Sequence, residues 1–126
     1  MQFELKVPLL GFDSITSMEL KKIDDTFMKL EAVNTDTAFT LINPFILREY
    51  AFDIPDGIKT LLEIKEESNI LIYNILIVTT PIENSTINFA APLVFNTDNN
   101  KMAQVIISDD PNLSIAEPLS NYLTKK

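Results

Sequence analysis

The chain of 126 residues contains no cysteine, no histidine and no tryptophan, and only two glycines. The missing cysteine excludes a disulfide framework, a thiolate nucleophile and a zinc-thiolate site. Without histidine there is no imidazole base, no serine–histidine relay and no histidine-ligated metal. Two distant glycines, Gly11 and Gly57, cannot build a loop that cradles phosphate. Positive charge is scarce as well: ten Lys plus Arg face 18 Asp plus Glu, a formal charge of −8, and Arg48 is the one arginine. Phosphate contact needs clustered Lys and Arg, so no direct nucleic-acid binding is expected, and the acidic surface suits a basic partner.

Long apolar runs are absent too. The longest, Ile70 to Val78, is interrupted by Asn74 and is far short of a membrane span. MQFELKVPLL has neither the basic region nor the apolar stretch of a signal peptide, so the expectation is a cytoplasmic protein with no membrane association. One domain over residues 1–126 should bury about two-thirds of its unfolded surface, enough for a core without staples. Repeats, low-complexity tracts and linkers are missing, and the expected class is mostly β: one compact domain of roughly seven strands with one or two short helices.

What is present is strand-like. Phe3, Leu5 and Val7 alternate with Gln2, Glu4 and Lys6, the period-two pattern of a half-buried strand that Pro8 ends before a turn at Gly11. In 17–33, Leu20, Ile23, Phe27 and Leu30 fall at helical spacing, so propensity favours an amphipathic helix; a cut at Asp24-Asp25 gives two strands, 18–23 and 27–33, instead. Thr37 to Ile42 reads as a strand stopped by Asn43-Pro44, Tyr50 to Ile54 as another, and Pro55 as the start of a short helix burying Ile58, Leu61 and Leu62. Residues 69–80 form the strongest strand, apolar on both faces, and Asn74 within it must find partners or cost about 1–3 kcal/mol. In 85–96, Ile87, Phe89, Ala91, Leu93 and Phe95 form a core face. Thr97 to Asn100 is a turn, and Met102 to Ser108 returns to complete a hairpin over 85–108. Pro118 opens a last helix burying Leu119, Tyr122 and Leu123, with Lys125 and Lys126 at its carboxyl end.

The chemistry-bearing candidates are few. Asp24-Asp25, Glu66-Glu67 and Asp109-Asp110 could suggest a carboxylate hydrolase or a metal site, but sequence neighbours point apart on a strand, and such doublets usually serve turns and solvated surface. No serine lies in G-x-S-x-G and no lysine in S-x-x-K, so the inventory argues against an enzyme, and no cofactor or metal is expected. Binding survives. The second face of 85–96, Thr86, Asn88, Ala90, Pro92 and Asn96 with Gln104 near it across the hairpin, is polar yet uncharged. It is either the water side of a hairpin or a platform for docking another protein, including along an edge strand. Pro92 there signals an edge or a bulge.

INPF at 42–45, REYAFDIP at 48–55, NILIYNILIV at 69–78 and STINFAAPLVFNTDNNKMAQVII at 85–107 resemble the bacterial flagellar assembly factor FliW family, a likeness running from LLGF at 9–12 to the Gln104-Val105 strand. Its most specific block is Thr86, Asn88, Ala91, Pro92, Asn96, Gln104 and Val105. The resemblance implies a small non-enzymatic β-barrel-like protein in which 17–33 is strand, turn, strand. It implies two partners, the translational regulator CsrA, whose repression of flagellin translation it relieves, and flagellin itself. Asn43, Pro44, Asn88, Pro92, Asn96, Asp98 and Gln104 are the expected partner contacts, and the chain is expected to be a monomer on its own. An alternative from the residues alone is a small β-barrel holding an apolar ligand inside.

Overall fold

The computed structural model describes residues 1–9 and 11–122. Alternating apolar residues build the first hairpins. β1 (Gln2–Leu5) pairs antiparallel with β2 (Ser17–Lys22), which pairs with β3 (Phe27–Ala32), which pairs with β4 (Ala38–Ile42). The 17–33 stretch is thus two strands and not a helix. Ile23, which completes the helical stripe, is 56% exposed, whereas Met18, Leu20, Leu30 and Ala32 alternate into the core. Asp24 sets the turn between them, its Oδ1 accepting from the amides of Thr26 and Phe27 at 2.8 Å each.

After a short 3-10 turn at Pro44–Ile46 the chain runs extended to α1 (Asp56–Leu62). Residues 50–54 form no strand, against the expectation. Tyr50 is committed inward by side-chain bonds, and the segment lies across the outside of the barrel without a ladder partner. The helix is the expected one, with Leu62 buried and Ile58 packed nearby, but Leu61 is 41% exposed. Glu63 ends it in the left-handed conformation, its amide closing onto Lys59 and Thr60.

β5 (Ile70–Ile77) closes the barrel. It pairs with β4 on one side and with β7 (Leu93–Asn96) on the other; β7 pairs with β8 (Lys101–Gln104), and β8 runs parallel to β1, completing seven strands. β6 (Thr86–Ile87) continues along β5, and β9 (Glu117–Pro118) adds to β6. Inside the barrel, Phe3, Met18, Leu30, Leu41, Leu93, Phe95 and Met102 are each at most 1% exposed. That interior is a packed core of fully buried side chains. Two further clusters lie outside it. One joins Ile42, Tyr50, Leu76, Ile87, Phe89 and Leu119, and the other packs Leu62 of α1 on Val94, Ala103 and Val105.

β5 is therefore covered on both faces, as its composition predicts, with Leu71, Tyr73 and Ile75 inward and Ile70, Ile72, Asn74 and Leu76 outward. Pro118 pairs with Thr86 rather than opening a helix, and Leu119–Tyr122 is a 3-10 turn that buries Leu119. Leu123, Lys125 and Lys126 lie outside the described residues. Arg48 reaches Glu117 at 3.7 Å and lies 5.4 Å from the centre of the Phe89 ring, tying β9 to the 43–54 segment.

Candidate partner-binding groove

The 85–96 stretch is not one strand. Leu76 pairs with Ile87 and Tyr73 with Leu93, so three steps along β5 are matched by six along its neighbour. The three extra residues are an odd number, so they switch the chain from one face of the sheet to the other. Ile87 and Phe89 belong to the outer cluster, Leu93 and Phe95 to the barrel interior. Asn88 starts this excursion: its Oδ1 accepts from the Ala90 amide at 3.2 Å, and its carbonyl takes Nδ2 of Asn74 at 2.8 Å. Pro92 ends it, and the Pro92 carbonyl accepts from Val105. The bulge that Pro92 signals in the sequence is there, made by the motif residues themselves.

The expected single polar platform breaks up accordingly. Asn96 is 1% exposed. Its Nδ2 donates to the Leu62 carbonyl at 2.9 Å and its Oδ1 accepts from the Asp98 amide at 3.0 Å, so it fastens the end of α1 to the β7–β8 turn. Pro92 and Pro44 are buried. None of these three side chains has surface to offer a partner, and as contacts they are corrected to structural roles. Asn43 caps the 3-10 turn by accepting from the Phe45 amide at 3.0 Å. Asp98 is exposed but clamps Asn69 through both carboxylate oxygens, at 3.1 and 2.9 Å, and these bonds hold its carboxyl below the usual range. The register sets Gln104 opposite Leu93, on the face of Met102, whereas Asn96 lies on the other face. Of the expected residues, Asn96 and Asp98 meet at the β7–β8 turn, and Asn88 and Gln104 come together at the other end of the hairpin.

They meet in an apolar groove of about 450 Å³. Leu9 and Phe12 line it from the loop after β1, Phe39, Ile75 and Ile77 from β4 and β5, Ala90 and Ala91 from the bulge, and Ile106 and Ile107 from beyond β8, with Ile115 at the rim. No lining side chain is charged. Phe12, Ile77, Ile106 and Ile115 are 36%, 58%, 60% and 73% exposed. Four large apolar side chains open to water around one hollow, in a chain of charge −8, are a contiguous patch of the kind that marks an interaction site. Sequence reasoning missed them, although Ile106 carried a signal: it is an isoleucine flanked in phase by the polar Gln104 and Ser108.

The groove wall has a buried support. Tyr50 donates to the Phe89 carbonyl at 2.6 Å and accepts from Nδ2 of Asn74 at 3.1 Å. Burial pushes the Tyr50 phenol up, against the opposing Asn74 bond and the Arg48 charge. Asn74 is fully buried and only half satisfied, since its Oδ1 has no partner among the described residues. The acidic doublets serve turns, Asp110 accepting from the Asn112 amide at 2.9 Å, and no group of three metal-binding side chains occurs among the described residues. No helix among them is long and apolar enough to cross a membrane.

Comparison with known proteins follows the same residues. The family model described as FliW protein matches residues 1–119. The flagellar assembly factor FliW of Sulfurimonas denitrificans is 52% identical over 126 residues, covering 99% of this chain and 100% of its own length. FliW 2 of Wolinella succinogenes is 50% identical over 125 residues, covering 97% and 92%. A crystal structure of the flagellar assembly factor FliW superposes with a TM-score of 0.87 at 29% identity, over 94% of this chain and 84% of that one.

Proposed function

The chain belongs to the FliW family of flagellar assembly factors, and on that premise we propose that it is a cytoplasmic, non-catalytic binding protein that captures CsrA and flagellin in turn. Full-length membership carries this reading. Flagellin occupies the protein while it accumulates; once flagellin is exported, the freed protein sequesters CsrA and flagellin translation resumes. The chain acts as a monomer and touches no nucleic acid. The apolar groove with Asn88 and Gln104 at its wall supports the reading, because stoichiometric capture needs a desolvated anchor and no catalytic group.

The charge supplies a mechanism for antagonism. CsrA holds RNA phosphates with positive charge, and a bound partner at −8 lowers the local potential and repels RNA without covering its site. Titration calorimetry with CsrA, with flagellin and with both decides whether the sites are shared: competition is expected, and additive heats would refute a switch at one surface. RNA displacement should weaken between low and moderate salt more steeply than the complex itself, and salt-independent displacement would point to steric exclusion.

A further inference from the structure

β8 leaves a row of backbone groups without partners beside the groove. Lys101, Ala103 and Val105 face β7 and the bulge, and Val105 and Ile107 donate to the carbonyls of Pro92 and Ala90 at 2.9 and 2.7 Å. The even residues therefore face the other way, toward β1. β1 serves them only as far as Met102, whose carbonyl accepts from Lys6 at 2.9 Å, and beyond Lys6 the chain bends away. Among the described residues nothing pairs with the amides or carbonyls of Gln104 and Ile106 on that side. Their side chains are walls of the apolar groove. An unpaired edge on a flat hydrophobic hollow is an aggregation hazard unless something covers it.

We infer that this edge is completed by an extended segment of the basic partner, added as a strand along Gln104 to Ile106 in the place β1 vacates, with its apolar side chains in the groove. The inference rests on the partner capture proposed above and specifies its mode. Two features select the occupant. Alternate backbone groups at strand spacing match an extended chain and not a helix, whose own amides are already paired. The groove floor is uncharged, but Asp13 follows Phe12 at one wall, and Asp109 and Asp110 follow Ile107 at the other. An apolar segment with Lys or Arg on its flanks complements that pattern, while a second copy of this chain would bring like charge to it.

The test uses the whole chain with the CsrA and the flagellin encoded in the same genome, with hydrogen exchange read at single amides. On binding, the Gln104 and Ile106 amides should slow at least tenfold. Ile106→Pro removes a donor that has no partner among the described residues, so it should keep the melting temperature and weaken binding at least tenfold. Exchange that stays fast at both amides, or an Ile106→Pro variant that binds like the parent, would overturn strand addition and leave a side-chain contact such as a docked helix. Slowed exchange in the chain alone, with a mass that doubles on concentration, would give the edge to a second copy and overturn it too. If the parent chain binds neither protein, the proposed function falls and this inference with it. Should Ile106→Pro unfold, the exchange pattern of the parent complex decides alone.

Discussion

The two ends of the β7–β8 hairpin are built from similar residues and do opposite things. At the turn end, Asn96 and Asn99 both donate to the Leu62 carbonyl at 2.9 Å, Asp98 grips Asn69, and Leu62 seals the outer face against Val94 and Ala103. At the open end, Asn88 shapes the bulge, Gln104 reaches the Ala91 carbonyl at 3.4 Å, and Phe12, Ile77, Ile106 and Ile115 stand in water around a groove. One asparagine is a bolt and the other lines the wall of the apolar groove. The difference lies in what covers them: α1 packs over the turn end, and nothing among the described residues covers the groove.

That contrast can be broken by substitution, in decreasing order of effect. Leu62→Ala empties a fully buried site under α1 and should cost about 2–5 kcal/mol in urea unfolding. If partner affinity per folded molecule fell with it, the two ends would be coupled rather than independent. Asn96→Ala strands the buried groups it ties and should cost about 1–3 kcal/mol, again with binding unchanged. The converse variant is Ile106→Asp: stability should stay within about 0.5 kcal/mol, because the side chain is 60% exposed, while calorimetric affinity for the partner drops at least tenfold. Equal loss of stability and binding at Ile106 would make the groove part of the fold.

The smallest effect is a pH dependence at the turn end. The bond from Lys101 holds the Glu63 carboxyl below its ordinary 4.5 in the folded chain. The tie therefore stabilises above that pH and is lost as pH falls through the lowered value. Glu63→Gln should flatten the acid limb of stability measured below about pH 4.5, with no change near neutrality beyond that of a surface pair. A steeper acid limb in the variant would contradict this role.

Much of the fold was legible because alternation and turn chemistry are local. Phe3 and Leu5, the 38–42 strand ended by Asn43-Pro44, the apolar β5, and Asn100 in left-handed geometry at the hairpin turn are all where residue pattern puts them. The 17–33 stretch was not decided locally, because Leu20 and Leu30 satisfy both periods and Ile23 is uninformative until its exposure is known. Tyr50 to Ile54 reads as a strand because its composition is right, yet a strand exists only where a neighbour pairs with it. Asn88 and Gln104 were found from their polarity in an uncharged face; Asn96 and Pro92 were assigned to that face because parity was carried unbroken through the bulge.

By itself the sequence determined which groups this protein has to work with: no thiol, no imidazole, one arginine and an acidic excess, since residue inventory limits the available chemistry whatever the fold. Tertiary structure decided which of those groups meet and which stay open to water. Three extra residues opposite β5 turn the chain over, bury Asn96 under α1 and bring Ile106, Phe12 and Ile77 to one groove. No local pattern contains that result, because side-chain direction in a sheet depends on register with a neighbouring strand.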